Sequence, residues 1–447
     1  MNLHNYQRRA VSWLGEHPRA ILAIEMGLGK TASVLHYLDA AGVTDAVIVA
    51  PKRVAETVWR QEAEKWGLAI ADRMTIVSGT KAKRLKAWSD TERRVKVVGR
   101  DNLGDLVGRP LTVEVLVLDE LTSFKSMTSK RSKYLANIMA ERFIGLTGTF
   151  LANGAIDIFG QAHAVGLSGR LGSNFWSWRA LNFRDCLKGS GLQWEKWVPT
   201  KPLAEILAPL KDDIFTLVAA DYLDLPPVTE HEHAVELSQS ERDAYDTAEA
   251  FMAADMGGGL IVGLKEGQIF VKLQTLCNGF LYKDRDGEPG KLEAIATAQH
   301  SKFDEVADFC ASAYGEGEQV LLFYAYRYEE ETLRSMLKGR GVACCNVKDH
   351  DALERWHRRE AGVMLAHPAS AGHGLNLQHE GRIIVWSSVT YNFEHFAQAN
   401  ARLARQGQTL PVEIHYFTAK NTIEEAQRRA LSKKAREQGT FEQLTKV

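Results

Sequence analysis

The alternation of short apolar runs with helical stretches constrains this 447-residue chain more than any other feature. In its first third the β-like runs are Ala20 to Ile24, Ala46 to Ala50, Met74 to Val77, Val95 to Val98, Val113 to Leu118 and Phe143 to Thr147. The last third repeats the texture with Val320 to Tyr324, Val342 to Asn346, Val363 to Ala366, Ile383 to Trp386 and Glu413 to Phe417. Strands that alternate with helices imply parallel sheets covered on both faces, so the predicted fold class is α/β with two parallel-sheet domains. Between them, residues 161–290 carry the tryptophan pairs Trp176/Trp178 and Trp194/Trp197, the break Leu225-Pro226-Pro227, a helical stretch Ser240 to Ala254, and Gly257 to Gly259. This stretch reads as a mostly helical insertion with a linker, its tryptophans as core residues of a small subdomain.

Gly27-Leu28-Gly29-Lys30-Thr31 follows the first β-like run and precedes the helical stretch Ser33 to Ala41. A glycine loop between strand and helix lets backbone N–H groups and the helix N-terminus cradle phosphates, with Lys30 reaching the outer ones and the Thr31 hydroxyl available to a magnesium ion. The full eight-residue P-loop pattern lacks its first glycine, where Ile24 stands. Asp119 and Glu120 end the apolar run Val113 to Leu118. Two acids at the mouth of a buried strand point to a cation or a reaction; with a phosphate loop upstream, Asp119 becomes the magnesium partner and Glu120 the base or water-orienting group. Near the other end, Gln398 to Gln408 (QANARLARQGQ) is predicted to be helical, with Arg402 and Arg405 three positions apart on one face. Permanently charged planar donors suit the charge that develops in phosphoryl transfer.

Five cysteines without a Cys-x-x-Cys pair support neither a disulfide framework nor a zinc knuckle. No apolar stretch approaches the roughly 20 residues of a membrane span, and the N-terminus lacks a signal-peptide pattern, so a cytoplasmic protein is expected. The net charge of −1 conceals basic stretches at 81–100, at 121–133 and from 420 onward. Each fits a nucleic-acid surface or a solvated face equally well.

The order of these parts resembles the Swi/Snf-type family of helicase superfamily two, ATP-driven translocases on duplex DNA, over nearly the whole chain. Tyr6-Gln7 resembles the family's adenine-reading Q motif, and Glu25 to Thr31 (EMGLGKT) its motif I. Ile48 to Trp66 resembles motif Ia and Val97 to Leu103 motif Ib; Asp119-Glu120 with Lys125 resembles DEAHxxK; Leu146 to Asn153 (LTGTFLAN) resembles motif III. Val320 to Tyr324, Ser370 to Leu377 and Gln398 to Gln408 stand for motifs IV, V and VI. There are departures: Thr122 replaces the histidine of DEAH, Phe150 the proline of motif III, Tyr391-Asn392-Phe393 the family's Trp-Asn-Pro, and the motif V stretch is one residue short.

The resemblance implies a RecA-like domain over 1–160, the insertion over 161–290 and a second RecA-like domain over 291–447. It implies ATP and magnesium as cofactors, held by Tyr6, Gln7, Gly27, Gly29, Lys30, Thr31, Gly374 and Gln398, with the metal at Thr31 and Asp119. Catalysis falls to Lys30, Asp119, Glu120, Arg402 and Arg405, and coupling to Thr147 and Thr149. Pro51, Lys52, Arg100, Lys125 and Ser370 are the expected nucleic-acid contacts, duplex DNA the expected partner, and a protein partner is expected through 161–290. A minimal bacterial, phage or mobile-element form is implied. Two other functions share these residues: a strand-separating DNA or RNA helicase, and an ATP-gated nucleic-acid clamp without processive movement.

Overall fold

The computed structural model describes residues 2–108, 110–172, 174–188, 197–258, 266–285, 288–297, 299–371 and 377–446. Its strands are β1 (Arg19–Ile24), β2 (Ala46–Ala50), β3 (Met74–Val77), β4 (Val95–Gly99), β5 (Leu111–Asp119), β6 (Ile138–Thr147), β7 (Phe183–Asp185), β8 (Trp197–Pro199) and β9 (Ile214–Leu217). They continue with β10 (Val228–Val235), β11 (Phe280–Arg285), β12 (Glu288–Ala296), β13 (Val320–Phe323), β14 (Cys344–Asn346), β15 (Val363–Ala366), β16 (Ile383–Trp386) and β17 (Val412–Ala419).

The chain divides into two compact units, one formed by Met1–Asp224 with Lys434–Val447 and the other by Leu225–Lys433. Residues 161–290 are therefore shared between the two units rather than forming a third body, and the final turns of the helix Ile423–Thr445 belong to the first.

In the first unit seven strands lie in the order β3-β4-β2-β5-β6-β1-β9, and every pairing is parallel. β2 and β4 are buried along their whole length, as a parallel sheet covered on both faces requires. Ile21, Val47, Val49, Leu116 and Leu118 point into one core layer with Phe124, Phe159 and Trp178. β9 had no distinct sequence signal; Ile214 and Leu217 fill the edge beside β1.

The second unit holds a six-stranded parallel sheet, β10-β17-β16-β13-β15-β14. Leu321 and Phe323 of β13 enter the core on one face, Val320 and Leu322 the core on the other. β10, rich in His and Glu, does not read as an apolar strand, yet it pairs with β17 over eight positions and forms the sheet edge. The two α/β units and their parallel sheets are as the alternating pattern predicts.

Trp178 is buried as expected, whereas Trp176 is 65% exposed and shares the Arg179 guanidinium with Trp197. Trp194 and Gly259 lie outside the described residues. No described helix is long and apolar enough to cross a membrane.

Candidate nucleotide site

The predicted residues of the first unit gather along one edge of its sheet, where the parallel strands end. β1 runs out into the Glu25–Gly29 loop, β2 into Pro51 and Lys52, β4 into Arg100, β5 into Asp119 and Glu120, and β6 into Thr147 to Thr149. Parallel register makes this automatic: Ala50 sits opposite Gly99, Asp119 opposite Leu146, and Ala23 opposite Thr147. The carboxyl ends of parallel strands are where α/β folds bind ligands.

Gly27 and Gly29 adopt φ of 89° and 77°, the left-handed region that a side chain disfavours. A Cβ on Gly29 would lie 2.2 Å from Gln7 Nε2, which donates to the Leu28 carbonyl at 3.3 Å. Gln7 thus closes directly on the loop at 27–31, and Tyr6 beside it packs its ring 4.9 Å from that of Tyr222. Glu25 Oε2 accepts the Ala219 N–H at 2.6 Å and fixes the end of β1. Lys30 opens the helix Lys30–Ala40 and folds its Nζ back onto the Ile24 carbonyl at 2.6 Å, with Thr31 in the same first turn. A helix N-terminus carrying a lysine and left-handed glycines has the chemistry to take a phosphate chain.

Asp119 is 7% exposed, and burial pushes its carboxyl above the ordinary range although Trp59, Lys30 and Arg100 pull it down. Its Oδ2 accepts the indole N–H of Trp59 at 3.0 Å. Trp59 is fully buried and was missed as a site residue; only its place inside the motif Ia segment pointed to it. Glu120 takes φ of 59°, a strained value for a residue with a side chain, and its carbonyl accepts the Ser123 N–H at 2.9 Å. A buried acid in this setting is suited to a cation, which would offset the desolvation of its charge.

The motif III segment passes beside the lysine: a Cβ on Gly148 would lie 3.5 Å from Lys30 Nζ. Thr147 Oγ1 accepts the Thr149 N–H at 3.0 Å. The Thr149 and Thr122 hydroxyls are buried without a hydrogen-bond partner among the described residues. Phe150, in the place of the family's proline, stacks 5.0 Å from Phe441, and Gln438 Oε1 accepts the Leu151 N–H at 3.0 Å.

Among the expected nucleic-acid contacts, Lys52 is exposed at the start of the helix Lys52–Thr57, whereas Pro51 beside it is buried as that helix's N-cap. Arg100 donates to Ser123 Oγ and is half-buried, and Lys125 pairs with Asp157 Oδ2 at 3.6 Å.

In the second unit the helix predicted across Gln398 to Gln408 stops early. It spans Phe393–Asn400, so Arg402 and Arg405 lie in the turns that follow and share no helical face. Tertiary packing ends it: Leu403 is drawn fully into the core, Gln408 Nε2 donates to the Gly381 carbonyl at 2.9 Å, and Gly407 takes φ of 96°. Arg402 is 7% exposed and donates from Nε to the Gln398 carbonyl at 3.0 Å; burial lowers the pKa of Arg405. Gln398 is itself buried and hydrogen-bonds Glu394. Ser370 sits in the short helix Pro368–Ala371, while Gly374 lies outside the described residues.

Residues 6–278 match the SNF2-related domain family. The chain belongs to that family. A 30% identical relative, protein p41 of Acyrthosiphon pisum secondary endosymbiont phage 1, aligns over 94% of this chain and 93% of its own length. An ATP-dependent helicase of Mycoplasma genitalium is 22% identical over 95% of this chain and 40% of that protein. The SWI/SNF-related matrix-associated actin-dependent regulator of chromatin subfamily A member 1 of Homo sapiens is 23% identical over 95% of this chain. This SNF2-related chain spans only 42% of the human protein's length. A solved SWI2/SNF2 ATPase core of Sulfolobus solfataricus in complex with dsDNA covers 100% of this chain and 94% of its own, with 19% identity and a TM-score of 0.46. Membership places the chain among the ATP-hydrolysing enzymes of helicase superfamily two.

Proposed function

We propose that this SNF2-related chain is an ATP-driven translocase on duplex DNA. The observation that carries the reading is the shared strand edge. The phosphate loop, the two acids, the coupling threonines and the candidate DNA contacts Pro51, Lys52 and Arg100 all occupy adjacent strand ends of one sheet. Asp119 and Glu120 at the end of β5 are one strand spacing from Pro51 and Lys52 at the end of β2.

In this reading Lys30 and the loop N–H groups hold the phosphates of ATP, Tyr6 and Gln7 the base, and Gln398 and Gly374 complete the nucleotide contacts. Thr31 and Asp119 would hold a magnesium ion, which would supply positive charge to offset that of the phosphates. Glu120 orients the attacking water, and Arg402 and Arg405 act on the same nucleotide during turnover. Thr147 and Thr149 carry the change to the DNA contacts, to which Lys125 and Ser370 also belong. Contacts of this kind go to the backbone and carry little sequence information.

Steady-state ATP hydrolysis measured with duplex DNA, single strands and RNA tests the proposal. Duplex DNA is expected to stimulate most, stimulation is expected to fall with added salt, and Lys30→Ala is expected to abolish turnover in a folded protein. Stimulation by RNA alone overturns the duplex assignment; full turnover by Lys30→Ala overturns the nucleotide site.

A further inference from the structure

The edge of the second sheet carries a side-chain cluster that the nucleotide chemistry does not use. β10 and β17 are parallel and in register, with Thr229 opposite Glu413, His231 opposite His415 and His233 opposite Phe417. Residues at alternate positions of paired strands share a face, so three imidazoles and a carboxylate line one stripe of the sheet. One ligand atom each from His231, Glu413 and His415 lies within 4.8 Å of the other two. The His231 and His415 rings stack with centroids 4.7 Å apart.

The decisive group is His415. Its ring is 6% exposed, and Nε2 makes no hydrogen bond among the described residues, lying instead 3.5 Å from Glu413 Oε2. Two ligands on a tetrahedral ion with bonds of about 2.0–2.1 Å are roughly 3.3 Å apart, close to that separation. The other ring nitrogen, Nδ1, is 2.9 Å from His233 Nε2. That hydrogen bond fixes the ring and, with the proton on Nδ1, leaves the Nε2 lone pair facing the carboxylate, as an outer-shell partner does at metal-bound histidines. Glu413 is oriented in the same way: Arg382 takes its Oε1 and leaves Oε2 toward the histidines. His231 is exposed, so its ring can swing in and solvent can complete the coordination.

We propose that His231, Glu413 and His415 form a binding site for a divalent transition cation of the Zn²⁺ class, with His233 as the positioning residue and water in the fourth place. Two imidazoles and one carboxylate suit such an ion, and they are too few and too nitrogen-rich for Ca²⁺ or Mg²⁺. Bound there, the cation ties the edge strand β10, the first strand after the Leu225–Pro227 break, to β17. The site is independent of the nucleotide reading.

The test uses the full-length protein without a histidine tag, stripped with chelator and titrated with Co²⁺ followed by absorbance and with Zn²⁺ followed by calorimetry and thermal unfolding. One equivalent is expected to bind, with visible Co²⁺ bands displaced by Zn²⁺ and a raised Tm. His231→Ala, exposed and therefore safe for folding, is expected to lose the bands and the Tm rise. His233→Gln is expected to keep one equivalent at about 10–100-fold weaker affinity. Binding well below one equivalent overturns the site, as does binding that His231→Ala and Glu413→Gln leave unchanged, which marks adventitious metal elsewhere.

Discussion

At the residue scale, Asp119 shows what the site costs the apo protein. Its folded pKa is raised by burial, so the folded state binds the proton more tightly than the unfolded chain does. Stability from this group is therefore full at low pH and lost as pH rises through the window between the ordinary and the raised value. Asp119→Asn is expected to abolish hydrolysis yet raise the Tm of nucleotide-free protein at neutral pH by about 2–4 °C, the scale of ~1 kcal/mol in a domain of this size. A lowered Tm in thermal unfolding would show that the Trp59 bond and nearby cations outweigh desolvation. Arg405 stands apart, since its environment was predicted as a helix face and is a turn. Arg405→Ala is expected to cut hydrolysis by about 10³ with near-normal ATP affinity, the scale of a lost arginine finger. A loss under tenfold in single-turnover assays reduces it to a structural arginine.

At the scale of elements, the last turns of the helix Ile423–Thr445 hold the motif III segment. Phe441 is fully buried against Phe150, Gln438 caps the Leu151 N–H, Thr445 Oγ1 meets Thr216 Oγ1 at 2.7 Å, and Lys446 reaches Asp221 at 2.6 Å. The proline-to-phenylalanine departure is thereby explained: the ring fills space that the C-terminal helix closes. Phe441→Ala is expected to destabilise the first unit by about 3–5 kcal/mol in urea unfolding, the range for a buried aromatic lost from a core. A change below 1 kcal/mol would mean that the helix is only loosely docked. None of this was visible in the sequence, because the partners are separated by 225 to 291 positions and no local pattern records them.

At the scale of the whole molecule, the basic stretches change meaning once acids from elsewhere are placed beside them. Arg84 and Lys81 pair with Asp105, Arg94 with Asp45, and Arg131 with Asp101 at 2.8 Å between Nε and Oδ1. Lys96 is 6% exposed and donates to the carbonyls of Ala87, Asp90 and Arg93, so it is a structural lysine. Lys83, Lys86 and Arg93 remain exposed to solvent. Reversing these three to glutamate is expected to weaken duplex binding and to flatten the salt dependence by roughly 0.9 per lost phosphate contact. Unchanged affinity and slope in a titration at several salt concentrations would make the run a solvated face.

The sequence by itself determined the α/β class, the strands of both sheets that are buried on two sides, and the glycine-lysine turn and the acid pair at strand ends. Each is written locally, as an apolar run of strand length or as a glycine-lysine turn joining strand to helix. Motif order also carried the family. The tertiary structure alone decided the rest: that β9 and the polar β10 are strands at all, that Trp59 bonds Asp119, that the arginine segment leaves the helix at Asn400, and that three histidines and Glu413 share one stripe. An edge strand needs only one buried face and a paired backbone, so its side chains give no strand signal. A helix end or a buried donor is set by what packs against it, and those neighbours come from distant parts of the chain.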